Sequence, residues 1–318
     1  MTQARESVAP PGTAPRVGWT IRPARREALH GVLFISPWIV GLLLFVLGPM
    51  VASLAMSLTN FDLVHPDRIE FVGLANYVQL TRDPLIAVSL IATFKFALVS
   101  VPLTMLASLG FALLLNSPAL LGARPLRTLV YMPMMIPLVA STLVWIGFLN
   151  TNTGWLNAIL GGIGLPRPDW INSELWVYPA LSIIGLWGIG NFMLINIAGL
   201  QAIPTELYEA ARIDGAGAWT SFRRITIPML SPVLLYNLVI CLIGTFQYFT
   251  QAYTLTNGQG DPNNATLFIN LDLFREAFRF SRMGYGAAIA WLLFAIVLVL
   301  TLALFAFARK RVYYAGGE

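Results

Sequence analysis

Glu209–Pro228 reads EAARIDGAGAWTSFRRITIP, a polar interruption between two long apolar runs. A passive connection between two apolar helices needs only a few polar residues. This one carries charges of both signs and sets small residues at fixed places. Glu209-Ala210-Ala211 is followed by Gly215, and Ile225, Ile227 and Pro228 close the pattern. Just upstream, Ile203-Pro204-Thr205-Glu206 reads as a helix start. Thr205 can cap free N–H groups, and Glu206 and Glu209 sit in the first turns, where the helix dipole favours negative charge. Leu207, Ala210 and Ala211 share a face, and the two alanines leave room for another surface to come close. Asp214-Gly215 then ends the helix, since glycine reaches positive φ freely. The expectation is a short helix, a sharp turn and a second short helix. Such a helix either packs under its own bundle or is offered to another protein. The ordered pattern favours the second.

The rest of the chain says what is being interrupted. Of its 318 residues 57% are hydrophobic and only 11% are charged, against about 25% charged in soluble domains. A bilayer is therefore the main solvent. The net charge of +5 is read through its placement in loops, not as a nucleic-acid signal. Cys241 is the single cysteine, which excludes a disulfide within the chain and a thiolate metal cluster. His30 and His65 lie far apart, so no metal site is expected.

Six apolar runs reach the roughly 20 residues needed to cross a hydrocarbon core of about 30 Å. They are Val32–Leu58, Leu85–Leu115, Leu126–Leu149, Leu175–Leu200, Met229–Phe249 and Gly284–Ala308. The fold class expected is all-α, a polytopic membrane protein with six transmembrane helices. Residues 1–30 read as a disordered tail, 31–310 as the membrane domain with the polar connection at 201–228, and 311–318 as a second tail. Pro37, Pro49, Pro102, Pro133 and Pro137 fall inside runs, where neighbouring helices can satisfy freed carbonyls.

Loop charges set the orientation. With the N-terminus inside, the inner segments hold Arg5, Arg16, Arg22, Arg25, Arg26, Arg124, Arg127, Arg212, Arg223, Arg224, Arg309, Lys310 and Arg311. The outer loops hold only Arg68, Arg82, Arg167, Arg275, Arg279 and Arg282. The bias is positive-inside, so both termini and the Glu209 connection are expected in the cytoplasm. Outside, FVGLANYVQLTRDP reads as a short interfacial helix ending at Pro84. Asn150–Glu174 is rich in Gly and Pro, and TLTNGQGDPNN is a turn signal. LFINLDLFREAF sets Phe268, Leu271, Phe274 and Phe278 near helical spacing and is expected to lie at the outer membrane surface.

The Glu209–Pro228 stretch resembles the EAA motif of the inner-membrane subunits of bacterial ABC importers. Glu209, Ala210, Ala211, Gly215, Ile225 and Pro228 match, while Ile227 stands where Leu is usual. SPWIVGLLLFVLGPMVASLAMSLTNFDL, FVGLANYVQL, YMPMMIPLVASTLVWIGFLNTNTGWLN and the stretch from TLTNGQGDP to MGYGAAIA are similar to the sugar-importer branch, that of the maltose and glycerol-phosphate permeases. TNGQGDP departs slightly from that branch's Gly-Gly-Pro.

The resemblance implies a five-helix core plus one added N-terminal span, in the inner membrane of a bacterial cell. It implies that Glu209, Ala210, Ala211, Asp214 and Gly215 form a coupling helix docked on an ATP-binding subunit. The partners implied are a second, similar permease subunit, two copies of the ATP-binding subunit, an extracytoplasmic solute-binding protein, the lipid bilayer and a sugar. No Gly-x-x-x-x-Gly-Lys-Ser/Thr loop occurs in the chain, so ATP and Mg are expected on the separate ATPase, and this chain is not expected to be an enzyme.

Sugars are held by aromatic faces and by hydrogen bonds to hydroxyls. The candidate path residues are Trp187, Gly188 and Asn191 in the fourth run and Thr245, Gln247 and Tyr248 in the fifth. Asn191 and Gln247 are expected to point inward, as ligand contacts or as bonds between helices. Lys95 lies about 15 Å along the second run at 1.5 Å per residue, either lining a watery vestibule or bonding carbonyls freed by Pro102. An ion-coupled secondary transporter buries carboxylates in its spans, whereas every Asp and Glu here falls in a tail or loop. A non-transporting membrane scaffold is the other alternative.

Overall fold

The computed structural model describes residues 25–309 and 312, so the expected tails lie largely outside the described residues; the first helix already runs at Arg25. The chain divides into two units, residues 1–52 and 53–318. The first unit consists of most of α1 (His30–Ser57), a long apolar helix with no buried residue before Ser53. A π-turn at Leu43–Leu47 leads into Gly48–Pro49, where the missing proline N–H breaks the regular ladder.

The second unit is built around α2 (Pro84–Asn116), whose 33 residues make a rod of about 50 Å. That is longer than a hydrocarbon core of about 30 Å. Asp83 caps its start, accepting from the Leu85 N–H at 2.9 Å. Its buried stripe carries Ser89, Thr93, Ser100, Thr104 and Ser108, while Ile91, Phe94, Leu98, Leu106 and Phe111 stand exposed. A water-soluble helix would be turned the other way. Here lipid solvates the large apolar side chains, and the small polar ones let neighbouring helices come close.

Two further helices are long and apolar enough to cross, α8 (Ala218–Thr256), which is interrupted at residues 247–249, and α10 (Met283–Ala308). The third and fourth runs are each broken by a bend, the third at the prolines the sequence marked. α3 (Ala123–Met135) and α4 (Leu138–Phe148) meet at 101°, and α5 (Val177–Leu186) and α6 (Gly190–Gln201) meet at 57°. The described residues thus hold four spans, or six if each bent pair is one span. The first bend has a plain cause. Ile136 precedes Pro137 and is held extended, with ψ 133°, because a following proline disfavours the helical region. Pro102, by contrast, sits inside α2 without breaking it. The second bend has no proline. Trp187, Gly188 and Ile189 turn through i→i+3 bonds. Gly190 then lies so near α3 that a Cβ there would stand 2.7 Å from Tyr131 Cα.

Three apolar clusters are threaded along α2. Near its start, Phe96 packs with Leu181, Leu267, Phe268 and Leu271, and Ile86 packs with Phe246, Tyr285 and Ile289. Near its end, Ala112 and Leu115 pack with Met193, Ile197, Leu200 and Leu230. The first cluster corrects a sequence expectation. The LFINLDLFREAF segment is packed into the bundle over its first half instead of offering an open apolar face. Leu267, Phe268, Ile269 and Leu271 are fully buried, and α9 (Ile269–Phe274) begins where the Ile269 N–H donates to Thr93 Oγ1 at 3.0 Å. Only Phe278, of the four residues at helical spacing, is exposed. The short helix expected before Pro84 is present at Ala75–Arg82, and Asn76 ties it to the carbonyls of Ser57 and Thr59, both at 2.8 Å.

Candidate functional site

The Glu209 stretch forms the expected pair of helices. α7 (Thr205–Ile213) follows α6, turns at Gly215, and gives way to a second helix that starts at Ala218 and continues as α8. Its end is a Schellman closure. The Ala216 N–H donates to the Ala211 carbonyl at 2.8 Å and the Gly215 N–H to the Arg212 carbonyl at 3.1 Å. Gly215 has φ +78°, and nothing lies within 4 Å of where its Cβ would be. Backbone conformation, not crowding, is what calls for glycine there. The helix start departs from expectation. Thr205 is already the first helical residue, Pro204 holds the cap position, and no side chain caps it.

No residue of α7 is buried. Tyr208 and Ala211 turn toward the bundle, where the Tyr208 hydroxyl pairs with Thr226 Oγ1 at 2.9 Å. Tyr208 and Ile225 pack against the third apolar cluster. Glu206, Glu209, Ala210 and Ile213 face outward at i, i+3, i+4 and i+7 spacing. Asp214 and Gly215 are exposed beside them. Two apolar side chains that sequence reasoning passed over dominate this surface, Ile213 at 88% exposure and Trp219 at 71%. Their signal was present, since large apolar residues inside a polar connection have no reason to be there for solubility.

The path candidates fall into two sets. Trp187 and Gly188 sit at the α5–α6 bend and are exposed, as is Asn191 one turn on. Trp187 stacks edge-on to Trp145 with centroids 5.5 Å apart. With Ile136, Ser141, Val144 and Phe148 these two rings line a cleft of about 220 Å³. Gln247 is also exposed, at the break in α8. Neither amide points into this chain's own core, so the inward orientation expected for them is not found within the chain. Thr245 and Tyr248 turn the other way. The Thr245 hydroxyl is buried and bonds the Cys241 carbonyl at 2.8 Å. Tyr248 packs between Phe96 and Phe268, with centroids 4.6 and 5.7 Å away, and its hydroxyl reaches the Leu181 carbonyl at 3.5 Å. In this conformation both serve packing, Thr245 buried and Tyr248 half-buried.

Lys95 is exposed on α2 and lines a cleft of about 230 Å³ with Glu174, Tyr178, Asn263 and Asn264, residues that precede or begin α5 or belong to the α8–α10 connection. Among the described residues it makes no bond to a carbonyl freed by Pro102 and takes part in no metal-binding cluster.

Long apolar helices that bury small polar side chains and turn large apolar ones outward, with one unburied helix between two of them, define a multi-pass membrane protein. The model of the binding-protein-dependent transport system inner membrane component matches residues 106–312, and the chain belongs to that family. It is 38% identical over 300 residues to the "Probable ABC transporter permease protein YesP" of Bacillus subtilis, covering 93% of this chain and 96% of that one. It is 36% identical to the trehalose/maltose transport system permease protein MalF of Thermococcus litoralis, covering 90% of this chain and 96% of that one. To the lactose transport system permease protein LacF of Rhizobium radiobacter it is 34% identical, over 89% and 95%. Among solved structures, a bacterial alginate ABC transporter in complex with an alginate pentasaccharide-bound periplasmic protein shares the fold. The TM-score is 0.75 at 23% identity, covering 90% of this chain and 96% of that one.

Proposed function

We propose that this permease carries a sugar or oligosaccharide inward through a path shared with a second, similar subunit. The binding-protein-dependent family has an extracytoplasmic solute-binding protein as its donor, and the relatives named for trehalose/maltose and lactose support a carbohydrate as cargo. Two copies of a separate ATP-binding subunit hold ATP and Mg, and one of them grips Glu209, Ala210, Ala211, Asp214 and Gly215. Both termini face the cytoplasm, in keeping with the excess of basic residues on that side. The observation that carries this reading is α7, a helix with no buried residue and an exposed Ile213 beside an exposed Trp219. Exposed apolar anchors ringed by polar residues are the usual heart of a protein interface.

Closure of the ATPase would move α6 and α8 together, since α7 hangs between them. The bundle then passes between outward and inward packings, with ATP biasing the balance. Trp187, Gly188, Asn191 and Gln247 stand on exposed surface where a second subunit would complete the path. Thr245 and Tyr248 join it only if the α8 break rearranges. The test is co-purification in mild detergent with the ATP-binding subunit, for the native chain and for Gly215→Val. The native chain should retain the ATPase, and the variant should reach the membrane but lose ATP-driven uptake. Normal uptake of labelled maltose, trehalose or lactose by Gly215→Val would sink the docking assignment. Purification free of any ATPase, with transport intact, would sink the whole reading.

A further inference from the structure

α6 and α8 carry the α7 connection, and both cross α2. At that crossing sit three polar side chains with no exposure at all: Ser108 on α2, Asn196 on α6 and Asn237 on α8. Asn237 Nδ2 donates to Asn196 Oδ1 at 2.9 Å and to the Phe192 carbonyl at 3.3 Å. Asn196 Nδ2 donates to Ser108 Oγ at 3.2 Å, and the Ser108 hydroxyl donates to the Met105 carbonyl at 3.1 Å. The donors run one way, from α8 through α6 to α2. Asn237 Oδ1 is buried and has no hydrogen-bond partner among the described residues.

Hydrogen bonds between helices in membranes are individually weak, and an unsatisfied buried acceptor offsets several of them. The net stability these groups contribute is therefore small. A leucine of similar size at Asn237 would remove the orphan acceptor. What apolar packing cannot supply is register. The cluster on the connection side of the crossing is made of Ala112, Leu115, Met193, Ile197, Leu200 and Leu230, and such contacts are non-directional. Helices held only by them can slide by part of a turn at small cost. A directed chain of hydrogen bonds has one best register, which is the best-attested use of buried polar groups.

We propose that Ser108, Asn196 and Asn237 form a positioning tie that locks α6 and α8 to one register on α2. Motion delivered at α7 then reaches the far halves of these helices as rigid-body movement instead of being lost in slippage. This inference rests on the ATP-driven reading above.

The experiment uses the assembled complex with its ATPase in proteoliposomes. A reporter cysteine replaces Val144, which is 72% exposed in the cleft beside Trp187, in a Cys241→Ala background. Its reaction with a membrane-impermeant maleimide is timed with and without ATP plus vanadate. With the tie intact the rate should change about fivefold or more on trapping, within the usual span of coupling between distant sites. Asn237→Leu should still hydrolyse ATP yet show less than about a twofold change. Ser108→Ala, which deletes one hydroxyl from the end of the chain of bonds, should lose part of the response. If both variants keep the full response, or Ser108→Ala does so where the leucine variant fails to assemble, the proposal is overturned. A native complex whose reporter ignores nucleotide overturns the transport reading itself, and the tie with it.

Discussion

Two polar connections leave α8, one at each end, and they meet opposite fates. The segment Thr205–Ser221 at one end stays on the surface, with α7 wholly unburied. The segment Leu267–Arg282 at the other end folds back into the bundle, with Leu267, Phe268, Ile269, Leu271, Asp272 and Glu276 all buried. Both mix large apolar side chains with charges of both signs. What separates them is whether the chain supplies its own partners. Glu276 has Arg282 at 2.5 Å, Tyr285 donates to Asp83 Oδ2 at 2.8 Å, and Thr93 receives the Ile269 N–H. Ile213 and Trp219 stay 88% and 71% exposed, although Trp219 stacks on Phe222 with ring centroids 5.5 Å apart. A connection that finds partners within the chain becomes core, and one that finds few stays on the surface.

This contrast can be broken most sharply at Phe268. Its truncation to alanine empties a fully buried site, so the complex should lose about 3–5 kcal/mol of stability, read as a lowered midpoint in thermal unfolding in detergent. A loss near zero would mean the segment is not core.

The next effect is a pH dependence. Burial pushes the Asp272 carboxyl up to about 6, from 3.8 for the free group, with nearby Asp83 adding to the rise and Arg275, Ser89 and Arg282 opposing it. Glu276 is raised as well, again by burial first. A raised folded-state value means that the folded chain keeps a proton the unfolded chain has lost. Stability is therefore greatest below about pH 4 and falls as pH rises through about 6, by at most about 3 kcal/mol for Asp272. Asp272→Asn should flatten this part of the unfolding profile, and an unchanged slope would remove Asp272 as its source.

A smaller stability effect belongs to Gly215→Val, which forces a β-branched residue to φ +78°. It should cost about 1–2 kcal/mol locally, with the functional loss much larger than the thermal one. Smallest of all is Trp219→Ala. Its ring is 71% exposed, so the chain's own stability should move by no more than about 0.5 kcal/mol. ATPase retention should fall by about 2 kcal/mol or more, as for an interface anchor. If the midpoint drops while ATPase binding holds, Trp219 is packing, and the contrast between the two connections fails at that residue.

The α7 connection was legible because its signals are local. Pro204, the acidic first turn and Asp214-Gly215 each act within a few residues, and together they specify helix, stop and turn. The bend at Pro137 is local in the same way. The bend at Trp187–Ile189 left little trace, since it depends on Gly190 lying against Tyr131 of another helix. The path residues were only half legible. Trp187 and Asn191 stand on open surface, but Thr245 and Tyr248, chosen on the same chemical grounds, are packed inside. Asn196 and Asn191 lie five positions apart on one helix. The sequence offered no means of telling that Asn196 would meet Ser108 and Asn237 while Asn191 would meet none of them.

What the sequence determined by itself is the solvent, the all-α class and the helix and turn of the Glu209 connection. Each follows from composition or from short-range backbone chemistry that no distant contact can reverse. What only the tertiary structure decided is which face of each helix is turned inward and which connection is swallowed by the bundle. In a bilayer both faces of a helix can be apolar, so hydropathy has no period to read. The inner face is chosen by small polar groups finding partners on other helices, and those partners come from residues far apart in the chain.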